Sequence, residues 1–438
     1  MSSILTNNGA MVALQTLQNI NKNLGQTQSE ISTGKSVASA KDNAATWAIS
    51  KQMESDVQGF KSIKESLALG ESTVAVARNA SETVTDLLTQ IKGKIVASQE
   101  SNVDRGKIQA DISALQDQIE SVTGAAQFNG LNLLSNKETT TDYTSAGNVD
   151  GSSEVDILSS LDRSGSGVAT TNITVNKVDL HSYGGEAGTL GALAAAAVTG
   201  AGTATASGAA DATYTIAGEE VTAGRTAAVM AGDGYAFDMT IFDAAVSGTP
   251  FGSAAAGKDE ALYVAGDGDT VNDIASGLAE RINFRLAEQG LSEDFTVRAD
   301  GANVVITNNT DTDLAAAAAA DITTSAGGKV SGGLELLSEI DVSTENGAAA
   351  ALGAIEGLIQ TSIDTAAAFG SSQGRIETQS EFITKLTDSL KSGIGAMVDA
   401  NMEEASARLQ ALQVQQQLAT QSLSIANQAP QSILSLFR

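Results

Sequence analysis

Along the last forty residues, apolar side chains return at alternating fours and threes: Val398, Met402, Ala405, Leu409, Leu412, Gln416, Ala419, Leu423, Ala426, Pro430, Ile433 and Phe437, with only Gln416 and Pro430 out of character. That spacing keeps one stripe of a helix turned toward a partner helix. A helix over 398–437 would be roughly 60 Å long at about 1.5 Å per residue, too long to bury its stripe against itself. A second stripe near the other end, Ala10, Leu14, Leu17, Asn21, Leu24, Gln28 and Ile31, supplies the expected partner. Gly34 then stops the first helix, and Ser39-Ala-Lys-Asp42 has the Ser-x-x-acid form of a helix start. A longer seam follows through Phe60, Ile63, Leu67, Gly70, Val74, Ala77, Ser81, Val84, Leu88, Ile91 and Ile95. A third runs through Ile108, Ile112, Leu115, Ile119 and Val122, and helical periodicity returns over 349–369 and 376–390. Matching seams at both ends predict long paired helices, a rod rather than a ball.

Near Lys137 the heptads stop. Tyr235, Phe237, Met239 and Ile241 alternate as one face of a strand. Phe295 and Val297 on one side of Asp300-Gly301, and Val304 and Ile306 on the other, predict a hairpin. Val271, Ile274, Leu278 and Ile282 predict one amphipathic helix capped by Asp269 or Thr270. The fold class expected is mainly α with a β-rich insertion: long heptad helices from both termini in a coiled-coil rod, and an α+β middle.

Charge sharpens that division. Residues 141–344 carry 29 acidic against 8 basic side chains, so most of the net −27 falls in the middle, which is expected to face solvent. Such a balance argues against nucleic acid or an anionic membrane as a partner, and no run is long and apolar enough for a membrane span. There is no cysteine, which removes disulfides and thiolate metal sites. Few aromatics predict thin layers rather than a thick core. His181, the one histidine, lies in Asp-Leu-His-Ser-Tyr-Gly-Gly and reads as a surface residue. Gly266-Asp-Gly-Asp-Thr270 lacks the later ligands of a calcium loop and reads as a turn into a capped helix. No catalytic, cofactor or metal site is expected, and the chain does not read as an enzyme.

Three motifs carry a resemblance. Ile31-Ser-Thr-Gly-Lys-Ser-Val-Ala-Ser-Ala-Lys-Asp-Asn-Ala-Ala45, Ala126-Gln-Phe-Asn-Gly-Leu-Asn-Leu-Leu134 and Ala426-Asn-Gln-Ala-Pro-Gln-Ser-Ile-Leu-Ser-Leu-Phe-Arg438 resemble the signatures of bacterial flagellins over roughly 1–136 and 345–438. Asn43 and Thr46 stand where that pattern usually has Asp and Gly, and no Arg follows Gly34. Asp269-Thr-Val-Asn-Asp-Ile-Ala275 is similar to a small repeat found in flagellin middle regions.

The resemblance implies a structural subunit that self-assembles through its terminal helices into the flagellar filament for swimming motility. The alternative is a hook–filament junction (hook-associated) protein. It implies an inner coiled-coil segment from 1–35 and 399–438, a helical rod domain from 36–140 and 345–398, and a variable surface-exposed domain over 141–344. The polymerisation seam expected is Leu14, Leu17, Leu24, Ile31, Leu409, Leu412, Leu423 and Ile433. Partners implied are many copies of the same chain, the flagellar type III export apparatus with an export chaperone, and cap and hook-associated proteins. The expected location is the extracellular filament, reached without a cleaved signal peptide; the start, Met1-Ser-Ser-Ile-Leu-Thr-Asn-Asn, has no basic or apolar run. A metallopeptidase in the middle region, as some family members carry, would need two histidines. Vertebrate receptor recognition uses Arg and Glu residues that Gln90-Ile-Lys-Gly-Lys-Ile-Val-Ala97 lacks, so that property is not carried over.

Overall fold

The structure, a computed structural model, describes residues 7–135, 154–164, 167–188, 198–218, 229, 232–246, 250–251, 259–266, 269–314 and 316–436. Two compact units divide the chain: one gathers Met1–Ser66, Leu158–Thr171 and Thr378–Arg438, the other Leu67–Ile157 and Asn172–Glu377. Two helices, α2 (Ala44–Ser98) and α6 (Glu345–Val398), run on from one unit into the other.

In the first unit, α1 (Asn8–Thr33) starts at Asn7, whose side chain accepts from Ala10 N–H at 3.0 Å, and ends at Gly34. Gly34 has φ of 70°, a left-handed conformation that only glycine adopts without strain, and its N–H closes on Glu30. The predicted start at Ser39 is a turn instead. Asp42 accepts from the backbone of Ala38 and Ser39, and Asn43 caps α2 through Thr46 N–H at 3.2 Å. Asn is as good a cap as the Asp it replaces in the family pattern. α7 (Met402–Leu436) completes the unit.

In the second unit, the long seam behaves as expected. Ile63 of the first unit and Leu67, Gly70, Val74, Ala77, Ser81, Val84, Leu88, Ile91 and Ile95 of the second are buried, while Phe60 is half-buried. Gly70 has no room for a Cβ, because Ile157 occupies that space. α3 (Arg105–Ala125) is capped by Asp104 and buries Ile112 and Ile119. Gln109 ties it to the later chain by donating to Ile340 O at 3.1 Å and accepting from Val342 N–H at 2.8 Å.

The motif at 126–134 folds as a tight hairpin, β1 (Gln127–Phe128) with β2 (Leu131–Asn132). Asn129 and Gly130 both have positive φ, 52° and 82°, the backbone that a two-residue turn demands. The hairpin then buries Leu133 and Leu134, whose carbonyls accept from Val178 and Leu180. Two strands, β3 (Glu154–Ser164) and β4 (Gly167–Asn176), pair with each other.

The middle of the chain builds two sheets. β5 (Val198–Ala201), β6 (Ala212–Ile216), β9 (Phe295–Asp300) and β10 (Asn303–Asn308) pair in the order β5-β6-β10-β9, all antiparallel. β7 (Gly234–Asp238), β8 (Glu260–Val264) and β11 (Ile322–Ser325) pair as β11-β7-β8. The expected hairpin at Asp300-Gly301 is β9–β10, with Asp300 opposite Asn303. The expected helix is α4 (Val271–Glu288), and Thr270 rather than Asp269 is its cap, in a reciprocal capping box with Asp273.

Two expectations fail here. The strand predicted through Ile241 stops at Asp238, whose carboxylate accepts from Thr240 N–H at 2.9 Å and turns Met239–Ala244 into a 3-10 helix. The few aromatics do not spread into thin layers either. Tyr214, Tyr235, Phe237, Phe242, Phe251 and Phe295 are all fully buried in one core, with Phe242 and Phe295 ring centroids 4.8 Å apart. The short helix α5 (Glu335–Glu339) brings the buried Glu335 to Arg281 of α4, while Arg285 pairs with Glu288 and Glu339 at 3.0 Å.

His181 is buried, contrary to the expected surface position. Its Nδ1 lies 2.8 Å from Asp179 Oδ1, and Tyr183 O–H donates to the other oxygen of Asp179. Burial pushes the Asp179 carboxyl up, but the hydrogen bonds from His181 and Tyr183 outweigh it and hold the group below the usual carboxylate range.

Candidate assembly interface

The two ends of the chain pack against each other as antiparallel helices. At their root, Ala400 N–H donates to Gly34 O at 2.9 Å and Ser36 N–H to Val398 O at 2.7 Å, with a bridge between Lys35 and Asp399. Midway, Gln416 Nε2 donates to Asn21 Oδ1 at 2.8 Å. At the far end, Asn7 Nδ2 donates to Ala426 O at 2.8 Å.

On α7, the face turned inward is the predicted one: Ala405, Leu412 and Ala419 are buried, and Leu409, Gln416, Leu423 and Ala426 are half-buried. Met402 alone of this stretch is exposed. Ile433 lies in α7, but its side chain, like those of Pro430 and Phe437, is outside the described residues.

On α1 the phase differs from the expectation. Ala10, Leu17, Leu24 and Ile31 face inward as predicted, but between them come Ala13, Ile20 and Thr27 rather than Leu14, Asn21 and Gln28. Leu14 is 47% exposed. A stripe through every seventh residue admits an intermediate position at either i+3 or i+4. The i+4 choice gains Leu14 but inserts Asn21 and Gln28; the i+3 choice gains Ile20 and puts the amides outside. Ile20 beside Asn21 was the signal that separates the two.

Thr27 satisfies its hydroxyl on Asn23 O at 3.0 Å. Outside this seam, both helices expose a second set of large apolar groups: Met11, Val12 and Leu14 on α1, and Val414, Leu418 and Ile425 on α7. Singly exposed apolar residues need no explanation, but here three large ones are exposed on each of the two helices.

Known proteins match along the whole chain, these helices included. The description "Bacterial flagellin N-terminal helical region" fits residues 4–139, and "Bacterial flagellin C-terminal helical region" fits 352–437. Flagellin A of Rhizobium meliloti is 33% identical over the whole of both chains, as is flagellin D of Rhizobium meliloti (strain 1021). The chain belongs to the bacterial flagellin family. Its fold class, long terminal helices around an insertion with β-structure, is that of the family's helical regions. The crystal structure of hook associated protein-3 from Legionella pneumophila shares 8% identity and covers 79% of this chain and 98% of its own, at a TM-score of 0.35 that carries no weight. Membership in this family implies a structural role.

Proposed function

We infer that the chain is the structural subunit of a bacterial flagellar filament and that copies assemble through α1 and α7. The observation that supports this reading is the apolar groups left over: Met11, Val12, Leu14, Val414, Leu418 and Ile425 stay exposed after the intrachain seam has closed. Burying a side chain of this size is worth about 1.5–3 kcal/mol. Repeated at each added copy, that term drives growth.

In this reading the predicted seam has two parts. Leu17, Leu24, Ile31, Leu409, Leu412 and Leu423 hold the two ends of one chain together, and Leu14 contributes outward to the next copy. The inner segment is 1–35 with 399–438, the helical rod domain 36–140 with 345–398, and the variable domain 141–344. The filament lies outside the cell, reached through the flagellar type III export apparatus with an export chaperone and no cleaved signal peptide, and its ends meet cap and hook-associated proteins. The test is seeded growth. Purified chain added to short filament fragments should lengthen them many-fold by electron microscopy. A chain that binds fragment ends but adds no further copies would be a junction protein, and this reading would fail.

A further inference from the structure

A methionine is apolar as a thioether and polar once its sulfur carries an oxygen, so its surroundings decide what oxidation does. Of the seven methionines in the chain, Met1 and Met230 lie outside the described residues. Met239 is fully buried in the aromatic core, and Met53 and Met397 are half-buried. Met11 and Met402 are open to solvent, 62% and 42% exposed. With no cysteine in the chain, these two thioethers are the sulfur atoms most accessible to an oxidant among the described residues.

The two differ in what stands around them. Met402 opens α7 beside the exposed carboxylates of Glu403 and Glu404. Met11 lies in the first turn of α1, where its N–H closes on Asn7 O at 3.0 Å. Leu14 follows three residues on, the spacing that puts two side chains on one helix face, and Val12 is exposed beside them. An added oxygen at Met402 therefore joins a polar surface, whereas at Met11 it falls within an apolar one. With hydrogen peroxide the step is a two-electron transfer: the peroxide O–O bond breaks, one oxygen bonds to Sδ as the sulfoxide, and the other leaves as water. We propose that Met11 is an oxidation-sensitive modification site, at which a peroxide turns the α1 surface from one that adds to a filament into one that does not. This rests on the reading that copies assemble through α1 and α7.

The test is seeded growth of chain treated with hydrogen peroxide and then freed of it, on untreated fragments, with peptide mass mapping of each methionine. Every variant is scored as its treated rate against its own untreated rate. Treated parent should grow about tenfold or more slowly, the effect of burying one polar group without a partner. In Met11→Leu the treated-to-untreated ratio should return to near one, while in Met402→Leu it should stay as low as in the parent. Far-ultraviolet dichroism of the treated chain should match that of the untreated chain. Undiminished growth from chain fully oxidised at Met11 would overturn the proposal, as would equal loss in treated Met11→Leu. A second measurement decides if Met11→Leu does not grow at all: Met11 in assembled filaments should oxidise several-fold more slowly than in free chain, and equal rates would place it outside the contact. Untreated parent that fails to lengthen fragments would refute the filament reading itself and this inference with it.

Discussion

Leu412 and Phe237 each sit at the middle of a packed region, and the two regions are assembled differently. Around Phe237, rings of Tyr214, Phe242, Phe251 and Phe295 close on one another with almost no exposed surface, behind two antiparallel sheets and α4. Around Leu412 there are buried alanines, half-buried leucines and amides at the margin. Six fully buried aromatics bury of order 150–250 Å² each. A stripe of half-buried alanine and leucine buries far less, against about 1–2 kcal/mol of backbone entropy for each residue ordered. The middle core is self-sufficient by composition, whereas the terminal pair has apolar surface still to cover. The difference predicts that the two regions respond separately to damage.

The largest effect is expected at the weaker region. Leu412→Asp places a carboxylate at a buried position of the seam, which costs several kcal/mol or forces protonation. Seeded growth should stop, while far-ultraviolet dichroism keeps most of the helical signal from α2 and α6. Gln413→Asp, one residue along and exposed, should grow nearly normally. Equal growth by the two would remove the seam from the assembly mechanism.

Next, Phe237→Ala should destabilise the middle unit by about 3–5 kcal/mol, read as a loss in the denaturation midpoint of that transition. Seeded growth should persist wherever the variant is folded. Growth lost in step with the midpoint would tie the two regions together.

A smaller effect is expected at the buried histidine. His181→Ala removes a donor from the buried Asp179 and should cost about 1–3 kcal/mol near neutral pH. The Asp179 carboxyl is held low in the folded chain, so its contribution is present above the ordinary carboxylate range and fades as pH falls through the lowered value. Without His181 that value rises, and acid unfolding should begin at a higher pH. An acid transition identical to the parent's would show that the pair contributes nothing.

The smallest effect on assembly is expected from the largest change. Deleting roughly 145–340 removes the aromatic core but none of the α1–α7 seam, so the exported product should still form filaments. A folded deletion variant that forms none would make the middle part of the assembly core.

How much of this was written in the sequence depended on what the pattern had to specify. The α7 face and the seam from Ile63 to Ile95 were legible because large apolar groups recur there without a competing choice. On α1 the alternatives Leu14 and Ala13 differ by one position, and the partner helix decides between them. The hairpin at Asn129-Gly130 carries the strongest short-range turn signal available, since both residues tolerate positive φ. The end of β7 turned on Asp238 capping its own chain, a local hydrogen bond that alternation does not encode. The burial of His181 comes from residues far along the chain: the Gly332–Leu334 backbone donates to the carbonyls of residues 179, 181 and 183. No local pattern announces such a contact.

The bond between Asn7 and Ala426 joins residues 419 apart in sequence. Loop closure over such a span adds only about 0.6 kcal/mol per doubling of length, but it makes the contact among the last to form. A chain threaded out end-first could fold its hairpin, its sheets and α4 from contacts already released. It could not close α1 on α7 until its last residues were free. Completion of the chain therefore serves as a timer for the terminal pair, and a partly emerged copy has no finished face to offer its neighbours.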